Sequence, residues 1–240
     1  MNLELLGGPD AVAEKAASLI AEEIWEAVAS RGRFMMAVSG GRTPWLMLRR
    51  MADANIPWRA VQIFQVDERV APAGGADRNL THISQSLLER APLSRDQIFA
   101  MPVESPDLEA AAAQYSRTLE EIAGPSPVLD LVHLGLGLDG HTASLVPGDP
   151  VLAVDHPGAA MTGVYQGRRR MTLTYPTLNR ARRVLWVVTG SEKAEMLPRL
   201  LAGDRQIPAG RVRRDAALVL ADSDAARVYR STRRGGVLCA

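Results

Sequence analysis

Apolar positions along the chain fall into two patterns that alternate. Between residues 10 and 29 the apolar side chains Val12, Ala16, Leu19, Ile20, Ile24 and Ala27 follow the spacing of one helical face. Residues 34–38 are then an unbroken apolar run of strand length. Thr43 and Pro44 offer an N-cap and a proline at the first helical position, which predicts a helix over 45–51. Residues 61–66 form a second core strand, 79–89 a helix and 98–101 a short strand, while Ser105, Pro106 and Asp107 open an alanine-rich helix ending near Gly124. Further apolar runs at 129–136, 184–189 and 217–220 read as strands, with Ser191 capping a helix through Leu201 that contains Pro198.

Strands this apolar, separated by helices, predict an α/β fold: a mainly parallel twisted sheet flanked by helices in Rossmann-like fashion, spanning 1–240 as one domain. Such sheets place their sites in the loops at the strand carboxyl ends. Beyond Pro150 the pattern weakens, and 161–164 with 171–174 read as a smaller antiparallel pair around Gln166 and Gly167. The tail, 231–240, is expected to be loosely held.

Composition narrows the function. A formal net charge of +1 argues against binding nucleic acid by broad phosphate neutralisation, so a small molecule is the expected partner. The single cysteine, Cys239, permits no intrachain disulfide and no cysteine-based zinc site, which fits a cytoplasmic protein. Neither a secretory leader nor a membrane span is predicted. A monomer is the default expectation.

Chemistry gathers at four predicted strand ends. After the first, Ser39, Gly40, Gly41 and Thr43 lead straight into a helix; glycines let an anion approach the backbone, and the helix start favours negative charge. The same residues also suit a tight turn, but neither a Walker A loop nor a dinucleotide fingerprint is present. After the second, Asp67, Glu68 and Arg69 form a charged turn able to meet sugar hydroxyls or a phosphate, or simply to face water. The run ending at Leu136 empties into a loop holding Gly135, Gly137, Asp139, Gly140 and His141 within seven residues. A histidine in such a loop can act as a base near neutrality. No second histidine or glutamate recurs around it at metal-ligand spacing, and Ser144 lies outside a nucleophile elbow, so no metal is expected and water is the expected nucleophile. Past the fourth strand stands Lys193, one of only two lysines among 28 basic residues. In the run of Arg168, Arg169 and Arg170, one guanidinium could reach a phosphate.

These motifs, in this order, resemble the 6-phosphogluconolactonase family, within the larger group that includes glucosamine-6-phosphate deaminase. The matching residues are Ser39-Gly40-Gly41-x-Thr43-Pro44, Asp67-Glu68-Arg69, the loop from Gly135 through Asp139, His141 and Ser144 to Gly148, and Gly190-x-x-Lys193-Ala194. The resemblance implies a phosphorylated sugar lactone as substrate and no cofactor. It further implies that the Ser39 to Thr43 loop, Arg170 and Lys193 hold the phosphate, that His141 is the base, that Asp139 orients substrate or histidine, and that Arg69 helps order the lactone or the phosphate, with Asp67 beside it as a substrate-binding candidate. Deaminases carry a glutamate five residues after the histidine; here Val146 takes that place, which favours hydrolysis over amino-sugar ring opening. Arg78 stands where the lactonases often carry serine. A silent sugar-phosphate sensor on the same fold is the other alternative, although no DNA-binding extension is visible.

Overall fold

The computed structural model describes residues 1–235. Seven parallel strands form the main sheet: β1 (Asn2–Leu6), β2 (Phe34–Val38), β3 (Val61–Gln65), β5 (Ile98–Phe99), β6 (Leu131–Leu134), β9 (Arg183–Val188) and β10 (Ala217–Asp222). They lie in the order β1-β10-β9-β6-β2-β3-β5. The remaining strands, β4 (Asp67–Arg69), β7 (Ala159–Met161) and β8 (Arg170–Leu173), make a small antiparallel sheet ordered β4-β8-β7. The predicted mainly parallel sheet with a smaller antiparallel element is therefore borne out.

Alternation along each strand divides the core into two layers. Phe34, Met36 and Val38 of β2 face one way, packing with Val12, Ile20 and Ile24 of α1 (Pro9–Arg31) and Met47 and Leu48 of α2 (Arg42–Ala52). Met35 and Ala37 face the other way, into a layer holding Tyr115 and Leu119 of α4 (Leu108–Ala123) and Trp186 of β9. Both faces are covered, as near-continuous apolar strands require.

Several elements depart from the sequence reading. β1 was not anticipated: the run is short and carries Glu4, but it pairs along its whole length with β10 as an edge strand. Helix α2 begins at Arg42 with Gly41 as its N-cap, so Thr43 lies inside the first turn rather than capping it. The predicted helix over 79–89 is α3 (Asn79–Ile83) followed by a π turn, 84–88. The expected charged turn after β3 is a strand, because Asp67, Glu68 and Arg69 pair with Thr172, Met171 and Arg170. In place of 161–164 the outer strand is β7, and a helix without strong periodicity, α5 (Tyr175–Arg180), follows β8. The helix expected from Ser191 to Leu201 splits into a 3₁₀ turn over 191–193 and α6 (Met196–Ala202), which leaves Pro198 in the amino-terminal turn that tolerates it. Residues 231–235 of the tail are the last residues of α7 (Arg227–Gly235), and the rest of the tail, Cys239 included, lies outside the described residues. No helix among the described residues is long and apolar enough to cross a membrane.

A single residue joins the two sheets. Val66 donates its N–H to Val38 O of β2 while its carbonyl accepts from Leu173 N of β8, so the chain passes from β3 into β4 without a loop. The carboxyl ends of β2, β3, β6 and β9 converge beside this junction, where the strand order reverses between β2 and β6.

Candidate active site

A cleft of about 300 Å³ opens at those strand ends, lined by Ser39, Gly40, Gly41, Asp67, Arg69, His141, Arg170 and Lys193 among others. A second lobe of about 560 Å³ adjoins it, sharing Gly40, Gly41, Gly135, Leu136 and Lys193. Of the residues singled out in the sequence, Thr43 faces this second lobe, and Asp139 stands behind His141 rather than on the cleft wall. Ser39, Gly40, Gly41, Asp67, Arg69, His141, Arg170 and Lys193 meet in one place.

The histidine and the aspartate of the loop meet locally. His141 Nδ1 lies 2.6 Å from Asp139 Oδ1, which also accepts the His141 backbone N–H at 3.1 Å. With Nδ1 engaged by a carboxylate, Nε2 is the ring nitrogen with no protein partner among the described residues. Asp139 is partly buried, which alone would raise its pKa; the His141 amide, the imidazole and Tyr165 outweigh that and hold the carboxyl below the usual range. Gly137 is required by close approach, since a methyl group there would overlap Nδ1 and Cε1 of His141. Gly140 N–H is already given to Gly137 O at 3.2 Å, so it is not a free donor for an oxyanion.

Around the glycine-rich loop the backbone is held from below. Ser39 N–H donates to Nδ1 of His133 at 3.2 Å, and burial pushes the pKa of His133 down to about 4, keeping it a neutral acceptor. Gly41 has φ +128°, a value that favours glycine, and its carbonyl accepts from Trp45 N to start α2. Thr43 Oγ1 and Thr189 Oγ1 are 2.6 Å apart and tie this loop to the end of β9. Beyond Thr189, the buried Asp222 accepts Gly190 N–H at 3.0 Å and shapes the turn that carries Lys193. Lys193 makes no ion pair among the described residues; burial lowers its pKa while the charges of Glu192 and Asp139 raise it.

The small sheet supplies the opposite wall. Asp67 is buried, and Ser144 Oγ donates to its Oδ2 at 2.6 Å while Asn79 Nδ2 lies 3.3 Å from Oδ1. Burial raises the Asp67 pKa against the pull of Ser144, Arg69 and Arg170. Glu68, the other carboxylate of the motif, is fully buried and structural: it accepts the backbone N–H groups of Asn79 and Leu80, each at 2.8 Å, and lies 3.2 Å from Arg78 Nε. Arg78 thus gains a definite role as the counter-ion of Glu68, and its Nη1 also meets Glu104 at 2.6 Å. Arg69 is anchored by Nη1 to Asp77 O at 2.8 Å. Of the three consecutive arginines, Arg168 and Arg169 pair with Asp77 and Glu109 at the surface, whereas Arg170 is buried and points its guanidinium over the ring of Tyr165, 4.9 Å from the centroid.

Four participants were missed by the sequence reading: Asn79, His133, Tyr165 and Asp222. Asn79, Tyr165 and Asp222 stand outside the motifs and His133 lies within the strand before the Gly135 loop; folding brings each to residues of the cleft. Val146 is buried and lies outside both lobes. Among the described residues no cluster of three or more His, Cys, Asp or Glu is placed to hold a metal ion.

Residues 7–220 match the model of the family described as glucosamine-6-phosphate isomerases/6-phosphogluconolactonase. The chain is 33% identical over 215 residues to a 6-phosphogluconolactonase of Synechocystis sp., covering 87% of this chain and 89% of that one. It is 34% identical over 240 residues to a 6-phosphogluconolactonase of Streptomyces coelicolor, covering 90% and 89%. Its fold superimposes on the 6-phosphogluconolactonase from Trypanosoma brucei with a TM-score of 0.82 at 27% identity, covering 94% of this chain and 97% of that one. By sequence and by fold, the chain belongs to the glucosamine-6-phosphate isomerase/6-phosphogluconolactonase family.

Proposed function

We propose that this protein hydrolyses 6-phospho-D-glucono-1,5-lactone to 6-phospho-D-gluconate, the second step of the oxidative pentose phosphate pathway, with His141 activating water. The observation that carries this reading is the pairing of His141 Nδ1 with Asp139 at 2.6 Å, beside a cleft that also holds Arg170, Lys193 and the glycine turn before α2. A neutral imidazole with Nδ1–H fixed on a carboxylate presents a bare Nε2, the form a general base requires. Lys193, Arg170 and the orphan N–H groups at the helix start are suited to a phosphate dianion. The reading keeps the enzyme a monomer of the cytoplasm.

In the reaction Nε2 takes a proton from water as the oxygen bonds to C1 of the lactone. The tetrahedral intermediate then collapses, the bond from C1 to the ring oxygen breaks, and the imidazolium returns its proton to that oxygen. The free acid ionises to the gluconate. Phosphate contacts act from the distant end of the substrate, so they set where C1 lies relative to Nε2. Hydrolysis is favoured over deamination by Val146, which has no proton to exchange.

The test is a coupled assay for 6-phosphogluconate above the spontaneous rate, with glucosamine 6-phosphate as a parallel substrate. The His141→Ala variant is expected to lose about 100- to 10,000-fold in kcat with little change in KM. Near wild-type turnover in that variant would falsify the role of His141, and release of ammonia from glucosamine 6-phosphate would move the protein to the deaminase branch.

A further inference from the structure

We infer that Tyr165 is a positioning residue for the His141–Asp139 pair, its hydroxyl fixing the carboxylate so that Oδ1 meets the imidazole. The inference rests on the reading of His141 as the base. A carboxylate two residues from its histidine and partly open to water is free to rotate, exchanging its two oxygens. Here both oxygens are held: Oδ1 by the amide and ring of His141, and Oδ2 by Tyr165 Oη at 3.0 Å. The third contact comes from a different part of the chain, 26 residues away.

The hairpin that delivers it is built for rigidity. Tyr165 and Arg168 exchange backbone hydrogen bonds of 2.9 and 3.3 Å around Gln166 (φ 51°) and Gly167 (φ 78°), two successive left-handed residues of the kind that close a tight hairpin. The ring itself is clamped. Its centroid lies 5.5 Å from that of the His141 imidazole in an edge-on arrangement, and the Arg170 guanidinium covers it at 4.9 Å. Gln166 Oε1 accepts from Arg170 Nη2 at 3.2 Å, which holds the cation in that place. Burial, with the neighbouring Asp139 charge, raises the Tyr165 pKa, so the phenol remains a donor.

Tyr165→Phe keeps the ring and both of its stacking contacts and removes only the hydroxyl. In the lactonase assay it is expected to lower kcat about tenfold, equivalent to roughly 1.4 kcal/mol, with KM unchanged. The same substitution in an Asp139→Ala background is expected to have no further effect, because the hydroxyl acts through that carboxylate at 3.0 Å, its direct approach to His141 Nδ1 being the longer at 3.5 Å. Nitrogen-15 NMR of the imidazole is expected to show a single Nδ1–H tautomer in the wild type and a mixture in Tyr165→Phe. A kcat loss above about threefold that disappears in the Asp139→Ala background supports the inference; a smaller loss, or one that persists there, overturns it. His141→Ala separates the two failures: if it retains turnover the base reading falls, whereas if it is inactive and Tyr165→Phe is not, only the role of Tyr165 falls.

Discussion

Acid stability is expected to report on His133, a buried histidine beneath the glycine-rich loop. Its ordinary pKa of 6.5 is lowered by burial to about 4 in the folded chain. The neutral form is therefore the one the fold accepts, and stability from this residue is complete above pH 6.5. As pH falls from 6.5 towards 4 the unfolded chain takes up a proton that the folded chain refuses, so stability declines with acidification. A difference of about 2.5 pH units at 1.36 kcal/mol each gives roughly 3 kcal/mol across that window. Protonation also removes the acceptor for Ser39 N–H, so the loss includes the loop. Asp67 and Glu23, whose carboxyls burial raises, change stability in the opposite sense as pH falls, and a wild-type curve alone mixes these terms. His133→Asn removes the titration while leaving an oxygen where Nδ1 accepts from Ser39. The variant carries a cavity where Cε1 and Nε2 stood, but that cost is independent of pH. Urea unfolding of both proteins at intervals from pH 7 to pH 4 gives the difference directly. The gap between them is expected to shift by roughly 3 kcal/mol in favour of the variant on acidification. Parallel curves would refute the assignment of a neutral, acid-sensitive histidine beneath the loop.

Two further outcomes follow from contacts in the cleft. Gly137→Ala is expected to displace the His141 ring and lower kcat by about 100-fold or more, with an unchanged circular dichroism spectrum; activity close to wild type would show that the ring has another seat. Lys193, whose pKa burial lowers, is expected to lose its charge at a lower pH than an ordinary lysine, so KM in the wild type rises on the alkaline side earlier than 10.5. Lys193→Arg is expected to flatten that rise, and Lys193→Ala to raise KM at every pH with a smaller effect on kcat, both measured by initial rates against substrate concentration.

The strands of the main sheet were legible because burial on both faces leaves few polar residues to confuse their pattern. Phe34–Val38 was read with its observed bounds for that reason. β1 and α5 were not read, since one is an edge strand interrupted by Glu4 and the other a helix of six residues held by its neighbours. Asp67, Glu68 and Arg69 look like a solvated turn in sequence because three successive charges rarely enter a sheet. In the structure Glu68 is paired with Arg78 and accepts from three backbone amides and Gln65, a solution spread over residues 65–80 that no local pattern displays. Motif residues of the cleft were legible through their glycines and their order. Tyr165, His133 and Asp222 were not, because their contacts with the cleft residues form only after distant segments have come together.

The closeness of Asp139 and His141 in sequence separates two kinds of dependence within one cleft. The two residues meet within a single short turn, whereas the cations of the cleft come from β8 and the segment after β9. Distortions that slide the two sheets past one another leave the contact between Asp139 and His141 inside its turn and act on it through the hydroxyl of Tyr165, which enters from the hairpin before β8.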